Sequence, residues 1–174
     1  LGLYNATVMV VKANAKGSME ALLNAKTIEA AAVNVKNDYY AQSEAETGFA
    51  GGLVAGIGSA SSNVAYATTS STAKAAFGAA AGGNITGDIN VENLGHVSAK
   101  ALGRSATVTV SGLNVAVNVI NADLKAVQDT SFTYGGKLDI QGDVNIRSEI
   151  LREDDFGKAD AQTGSTAGAS ISLV

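Results

Sequence analysis

A motif that recurs at a nearly constant spacing constrains this chain more than any other feature of its sequence. Gly83–Val91 reads GNITGDINV and Lys137–Ile146 reads KLDIQGDVNI, so both contain Ile-x-Gly-Asp-(Ile/Val)-Asn-(Val/Ile). A third segment, Ile28–Val35 (IEAAAVNV), keeps the Val-Asn-Val end. The successive motif asparagines are 56 and 55 residues apart. A long period kept this closely indicates a repeat architecture.

The motif divides the chain into about three repeats that follow one another without a linker. We predict a partial repeat over residues 1–26 and repeats over about 27–82, 83–136 and 137–174, the last of them truncated. Each motif is followed by a segment of alternating small and polar residues and then by an apolar run. Because the chain begins and ends within a repeat, we expect it to be a segment of a longer array.

The composition favours regular stacked β-structure over a bulky core. Hydrophobic residues make up 46% of the chain, but aromatic residues only 5%, beside 20 Gly and no Trp. Small side chains pack densely when they lie in regular layers. The absence of Pro suits a continuous hydrogen-bonded ladder, in which a missing N–H would leave a gap.

Charge, cysteine content and hydropathy exclude several classes of partner. The net charge of −4 argues against binding to nucleic acid or to an anionic membrane surface. The chain has no Cys, so disulfides and thiolate metal sites are excluded. No apolar run reaches the roughly 18 residues that would predict a membrane span. No cofactor or metal site is expected.

The repeat and the alternating apolar pattern predict an all-β fold, a parallel β-helix with right-handed winding. We expect coils of about 18–27 residues, two or three per repeat, and hence a rod of roughly 30–45 Å at the spacing between strands. One region is ambiguous, because Gly17–Glu46 could also form a helix. We prefer a strand there and keep a short helix near Ser18–Asn24 as the alternative.

The order of these motifs resembles the repeat regions of very large secreted bacterial exoproteins. The segment IQGDVNI at 140–146 is followed by the small-residue stretch ADAQTG at 159–164 and by ISLV at 171–174. Filamentous haemagglutinin-type adhesins and fusobacterial leukotoxin-like proteins are the families it resembles. The resemblance implies export by a two-partner route, a parallel β-helical stalk, and a role in virulence as a secreted or cell-surface protein.

The recurring motif itself is interpreted as the corner at which each repeat starts. Gly-Asp is a turn pair, in which Gly permits positive φ and Asp bonds its own backbone. Aligned Asp residues could also form a calcium ladder, but the chain offers too few oxygen ligands per turn. The asparagines are a full repeat apart, so other coils should separate them. The predicted structural turn residues are Gly87, Asp88, Asn90, Gly142, Asp143 and Asn145.

Two segments are candidates for a surface contact. Tyr39 and Tyr40 form the only pair of adjacent aromatic residues, which suits a glycan or protein contact if the pair is exposed, although packing in a corner is the alternative. The second segment is the densest run of charge, which we expect to be a solvated surface loop formed by an insertion of five residues. Its candidate contact residues are Glu149, Arg152, Asp154 and Asp155.

No catalytic residue is predicted. His96 is the only histidine, and the sequence places no nucleophile or orienting acid beside it, so we expect a solvated side chain. The expected function is therefore a non-catalytic stalk or adhesive segment, whose partners are neighbouring repeats of the parent chain and a host-cell surface protein or glycan. The alternatives are a β-helical polysaccharide-active enzyme and a fibre subunit that associates end to end.

Overall fold

The computed structural model describes residues 4–47, 53–54, 58–109, 112–152, 158–165 and 170–173, and these form β-strands joined by short turns. No helix occurs among them, and the region 18–24 lies inside the first strand, so the preferred strand interpretation is confirmed. The strands are β1 Tyr4–Ala25, β2 Ile28–Ala30, β3 Val33–Thr47, β4 Leu53–Val54, β5 Gly58–Ala79, β6 Gly82–Ile85, β7 Ile89–Thr109, β8 Gly112–Tyr134, β9 Lys137–Ile140, β10 Val144–Arg152, β11 Lys158–Ser165 and β12 Ser170–Leu173.

The strands pair in parallel and build a solenoid with three sheets. Sheet A has the order β1-β5-β8-β12 and sheet B the order β2-β6-β9. In sheet C, β7 pairs with β3 on one side and with β10 and β11 on the other; the short strand β4 also pairs with β7. The predicted all-β, parallel, three-repeat fold is confirmed. Its right-handed winding stays a prediction.

One repeat makes one coil. In sheet A, Tyr4 pairs with Gly58, which pairs with Leu113, so neighbouring strands are a full repeat apart in sequence. The prediction of two or three shorter coils per repeat is wrong. The physical reason is strand length: β1 and β5 each have 22 residues, about 70 Å at 3.3 Å per residue, so one turn consumes a whole repeat.

The sequence alternation within these long strands marks one buried and one exposed face. In β3, inward residues such as Val33 and Val35 are buried and the residues between them are exposed, almost without a break from Val33 to Thr47. Sheets A and C face each other across the interior, and sheet B closes one corner. We name the coils by residue range: the first is 4–54, the second 58–109 and the third 112–165.

The interior changes in character along the strands. Near sheet B it is filled by larger apolar side chains, among which Phe77, Ile85 and Ile89 are fully buried. Further from sheet B the buried apolar side chains are alanines: Ala45, Ala65, Ala67, Ala99 and Ala101. Because an alanine layer is thin, the two sheets can approach closely there.

A polar seam crosses the interior between these two parts and ties sheet C to sheet A. The side-chain amide of Asn37 donates to the carbonyl of Met19 at 3.2 Å, and that of Asn93 donates to the carbonyl of Ala73 at 3.0 Å. In the third coil, the amide of Gln128 donates to the carbonyl of Glu149 at 3.0 Å. A buried polar group that is hydrogen-bonded costs little, so the seam fixes the relative position of the two sheets.

The third coil contains an insertion, as the sequence predicts, but a shorter one. Arg152 pairs with Val97, whereas Lys158 pairs with Lys100, so the separation changes from 55 to 58 residues between these two pairs. Ala159, and not Ala161, is therefore the residue aligned with Ala101. The predicted five-residue insertion is wrong because the small-polar pattern matches itself again two residues further on. The three additional residues fall within 153–157, a segment that lies outside the described residues.

Candidate functional site

An asparagine column runs along the outer face of sheet C. Asn90 Nδ2 donates to Asn34 Oδ1 at 2.9 Å, and Asn145 Nδ2 donates to Asn90 Oδ1 at 3.0 Å. The expectation that other coils separate these residues is wrong, because the coil is a full repeat. Asn90 and Asn145 are also not turn residues; each is the second residue of a strand. The amides of Asn90 and Asn145 both donate toward the preceding coil, so the two bonds run in the same direction.

The Gly-Asp pairs do lie at a corner, between sheets B and C, but for another reason than positive φ. Gly87 and Gly142 are not among the glycines with positive φ. A Cβ on Gly87 would lie 2.4 Å from the carbonyl oxygen of Ala31, so close stacking of the coils requires glycine there. The carboxylate of Asp88 accepts a hydrogen bond from the backbone N–H of Asp143 at 2.9 Å, which joins two coils and not one turn.

Tyr39 and Tyr40 lie on opposite faces of β3, since neighbouring residues of a strand alternate. Tyr39 is only 2% exposed and points into the interior, so its prediction as a surface contact is wrong. Tyr40 is 68% exposed, and its ring stacks on that of His96 with centroids 4.2 Å apart. Because His96 covers one ring face from the second coil, the other face of Tyr40 points along the solenoid axis, past the first coil.

His96 contacts two side chains that lie far from it in the sequence. It lies within β7 with only 18% of its side chain exposed, so the expectation of a solvated side chain is wrong. Its Nε2 is 3.5 Å from Asp38 Oδ1, and its ring stacks on Tyr40. Both partners come from the first coil, more than fifty residues earlier in the sequence, so no local pattern could have indicated them.

The charged segment that begins at Glu149 is only partly described. Arg147 and Glu149 form an ion pair along β10. Arg152 ends β10 and pairs with Val97, and nothing is described of its side chain. Asp154 and Asp155 lie outside the described residues, so their prediction as contact residues is untouched.

Ion pairs also join neighbouring coils on the outer faces. Lys74 is 3.4 Å from Asp129 across sheet A, and Lys100 is 3.1 Å from Glu44 across sheet C. In both pairs the residues occupy the same position in adjacent coils. Exposed pairs of this kind contribute about 0.2–1 kcal/mol each, but their sign determines which strands can lie side by side.

The sequence interpretation did not identify a column of exposed valines on the outer face of sheet A. Val10 pairs with Val64, which pairs with Val119, and Val8 and Val117 lie two residues away on the outer strands. Val8 is 70% exposed, Val10 54%, Val117 49% and Val119 42%. The signal was present as valines spaced by two in β1 and β8, but the same spacing describes an inward face.

Within the described ranges, no group of three or more His, Asp or Glu side chains could hold a metal ion. No helix in that same part of the chain is long and apolar enough to cross a membrane. The chain matches no family model, no curated protein and no solved structure.

Proposed function

We propose that this chain is a spacer segment of a longer bacterial exoprotein of the adhesin or toxin kind, secreted or displayed at the cell surface, and that it acts without catalysis. The observation that supports this most is the unbroken register of sheet A. Twenty-two consecutive residues of β1 pair with β5, and the same stretch of β5 pairs with β8. Such a stack fixes the distance between the parts of the protein that precede and follow it, and each added coil increases that distance by about 4.8 Å.

The stacking of like side chains, in the interior and on the outer face, supports the same proposal. Side chains stack on their counterparts in the next coil: Phe77 lies on Phe132 with ring centroids 4.9 Å apart, and the motif asparagines form a hydrogen-bonded column. Stability in such an array comes from each coil and its contacts with its neighbours, so coils can be added without redesigning a central core. This is the property that a spacer needs.

The exposed Tyr40 is a weaker candidate for an adhesive contact than its exposure suggests. Its free ring face points along the axis, where a further coil would cover it. A contact with a glycan or a host-cell protein is therefore better sought in the charged segment 153–157, to which the candidates Asp154 and Asp155 belong.

The proposal is tested on intact cells of the organism that produces the chain. Antibodies raised against the full 174-residue chain are applied before and after permeabilisation, with an antibody against a cytoplasmic enzyme as the matched control. We expect label on intact cells or in the culture medium, and its removal from cells by external protease. Label that needs permeabilisation, as the cytoplasmic control does, would contradict the proposal.

A further inference from the structure

The outer faces show an alternation of charge between successive coils. Seven positions of the described registers carry a charge in both the first and the third coil, and at six of them the two charges have the same sign. These six columns are Lys16–Ser70–Lys125, Glu20–Lys74–Asp129, Glu29–Asn84–Asp139, Lys36–Glu92–Arg147, Asp38–Leu94–Glu149 and Glu46–Leu102–Asp160.

The second coil separates these like charges. It has the opposite charge in two columns, where Lys74 lies between acids and Glu92 between bases, and an uncharged residue in the other four. The seventh column departs from the rule, since Lys100 lies between Glu44 and Lys158. Like charges placed directly opposite on neighbouring strands are destabilising, so the second coil makes the stack of three compatible.

The same columns determine what can lie on the open side of the third coil. Beyond its pairing with β12, no strand of the described residues covers β8, and none covers β10. A second copy of this chain that continued the register would place its first coil there. It would set Lys16 against Lys125 and Lys36 against Arg147, with acid against acid in the remaining four columns, at about 4.8 Å.

We propose that the open side of the third coil pairs with a parallel solenoid coil whose charges match those of the second coil. It does not pair with the first coil of a second copy of this chain. The accepted coil has a base opposite Asp129, an acid opposite Arg147, and uncharged residues opposite Lys125, Asp139, Glu149 and Asp160. This deepens the proposed function, on which it rests, because a spacer must continue with a matching coil and must not polymerise with its own copies.

The proposal is tested by extending the full chain by one coil. Leu173 pairs with Val115, which pairs with Ala60, so a copy of residues 62–109 appended after Val174 continues the register. The matched control carries Lys74→Glu and Glu92→Lys in the appended copy only, which keeps the net charge and the length. Thermal unfolding followed by circular dichroism compares the two proteins at 20 mM and at 1 M NaCl.

We expect the extension with the original charges to unfold about 4 °C higher than the control at 20 mM NaCl. The difference should shrink in 1 M NaCl, where the screening length is about 3 Å. Equal midpoints at low salt, or a higher midpoint for the control, would overturn the proposal.

A second measurement uses the chain without any change. Sedimentation velocity at 20 mM NaCl should give a monomer over the whole accessible concentration range, because copies meet with like charges. Growth of the sedimentation coefficient with concentration at this salt would overturn the proposal. Neither measurement depends on where the parent protein is located, so a failure here is distinguishable from a failure of surface labelling.

Discussion

The second and third coils have the same kind of residue at equivalent positions, yet they bury it to very different extents. Ile89 and Val91 are fully buried, whereas their counterparts Val144 and Ile146 are 40% and 52% exposed. Among the described residues the second coil is covered on both sides, and the first and third coils on one side each. Val33 and Val35 of the first coil are nevertheless only 6% exposed, so the exposure arises at the open side of the third coil. Burial in this fold is thus a property of position in the stack more than of sequence, as expected for a repeat array.

The largest loss of stability should come from substitution of the two stacked phenylalanines, and these substitutions test the comparison between the coils directly. Phe77 of the second coil is fully buried, and Phe132 of the third is half-buried. We expect Phe77→Ala to lower the free energy of unfolding by about 3–5 kcal/mol and Phe132→Ala by about 1–2 kcal/mol, because the cavity at Phe132 is open on one side. Urea unfolding followed by circular dichroism measures both.

The ratio of the two losses is the informative quantity. Both substitutions remove the same ring from the same column of sheet A, so chemistry and local register are matched. Equal losses of unfolding free energy would show that a phenylalanine covered by a coil on one side stabilises the protein as much as one covered on both sides. That result would contradict the expected difference between the second and third coils.

An intermediate effect is expected from two glycines that differ in what lies beside them. A Cβ on Gly95, in the second coil, would lie 2.5 Å from the hydroxyl oxygen and 2.6 Å from the ring carbon Cζ of Tyr39, whose side chain is buried. Gly17, in the first coil, has nothing within 4 Å of its Cβ position. We expect Gly95→Ala to cost about 1–3 kcal/mol and Gly17→Ala to stabilise by about 0.4–1 kcal/mol.

The thermal midpoints of the two glycine variants check this expectation, each against the unchanged chain. A stable Gly95→Ala protein would mean that Tyr39 can leave the interior, and the assignment of Tyr39 as a core residue would then be wrong.

The sequence was sufficient for the class of fold and insufficient for its dimensions. The spacing of Asn34, Asn90 and Asn145 indicated the repeat, because each column stacks like on like. It did not indicate how many residues form one coil, because the alternation of apolar and polar residues looks the same within one long strand as across several short strands. The apolar run at 106–119 shows this: it is one pattern, but it belongs to β7 up to Thr109 and to β8 from Gly112.

The candidate site residues were predictable only where a local rule applied. Gly87 and Asp88 were placed at a corner by their turn chemistry, but the close approach of Ala31 that requires the glycine comes from another coil. The pairing of His96 with Asp38 and Tyr40 likewise depends on the register between coils. Charge alternation between coils was invisible until that register was known.

The smallest loss of stability should come from substitutions in the asparagine column, which compare the second and third coils on their solvent-exposed face. Asn90 makes two amide bonds, one to each neighbouring coil, whereas the bond from Asn145 to Asn90 is the one that the described residues show for Asn145. A hydrogen bond between neutral groups contributes about 0.5–1.5 kcal/mol net, and less where water competes. We expect Asn90→Ala to cost about 1 kcal/mol and Asn145→Ala about half of that.

Urea unfolding of both variants and of the double variant resolves these small differences. Because Asn90→Ala already removes the bond to Asn145, the double variant should lose little more than Asn90→Ala alone, whereas independent sites would give the sum of the two losses. A fully additive result would show that the column is a geometric consequence of stacking and does not itself hold the coils in register.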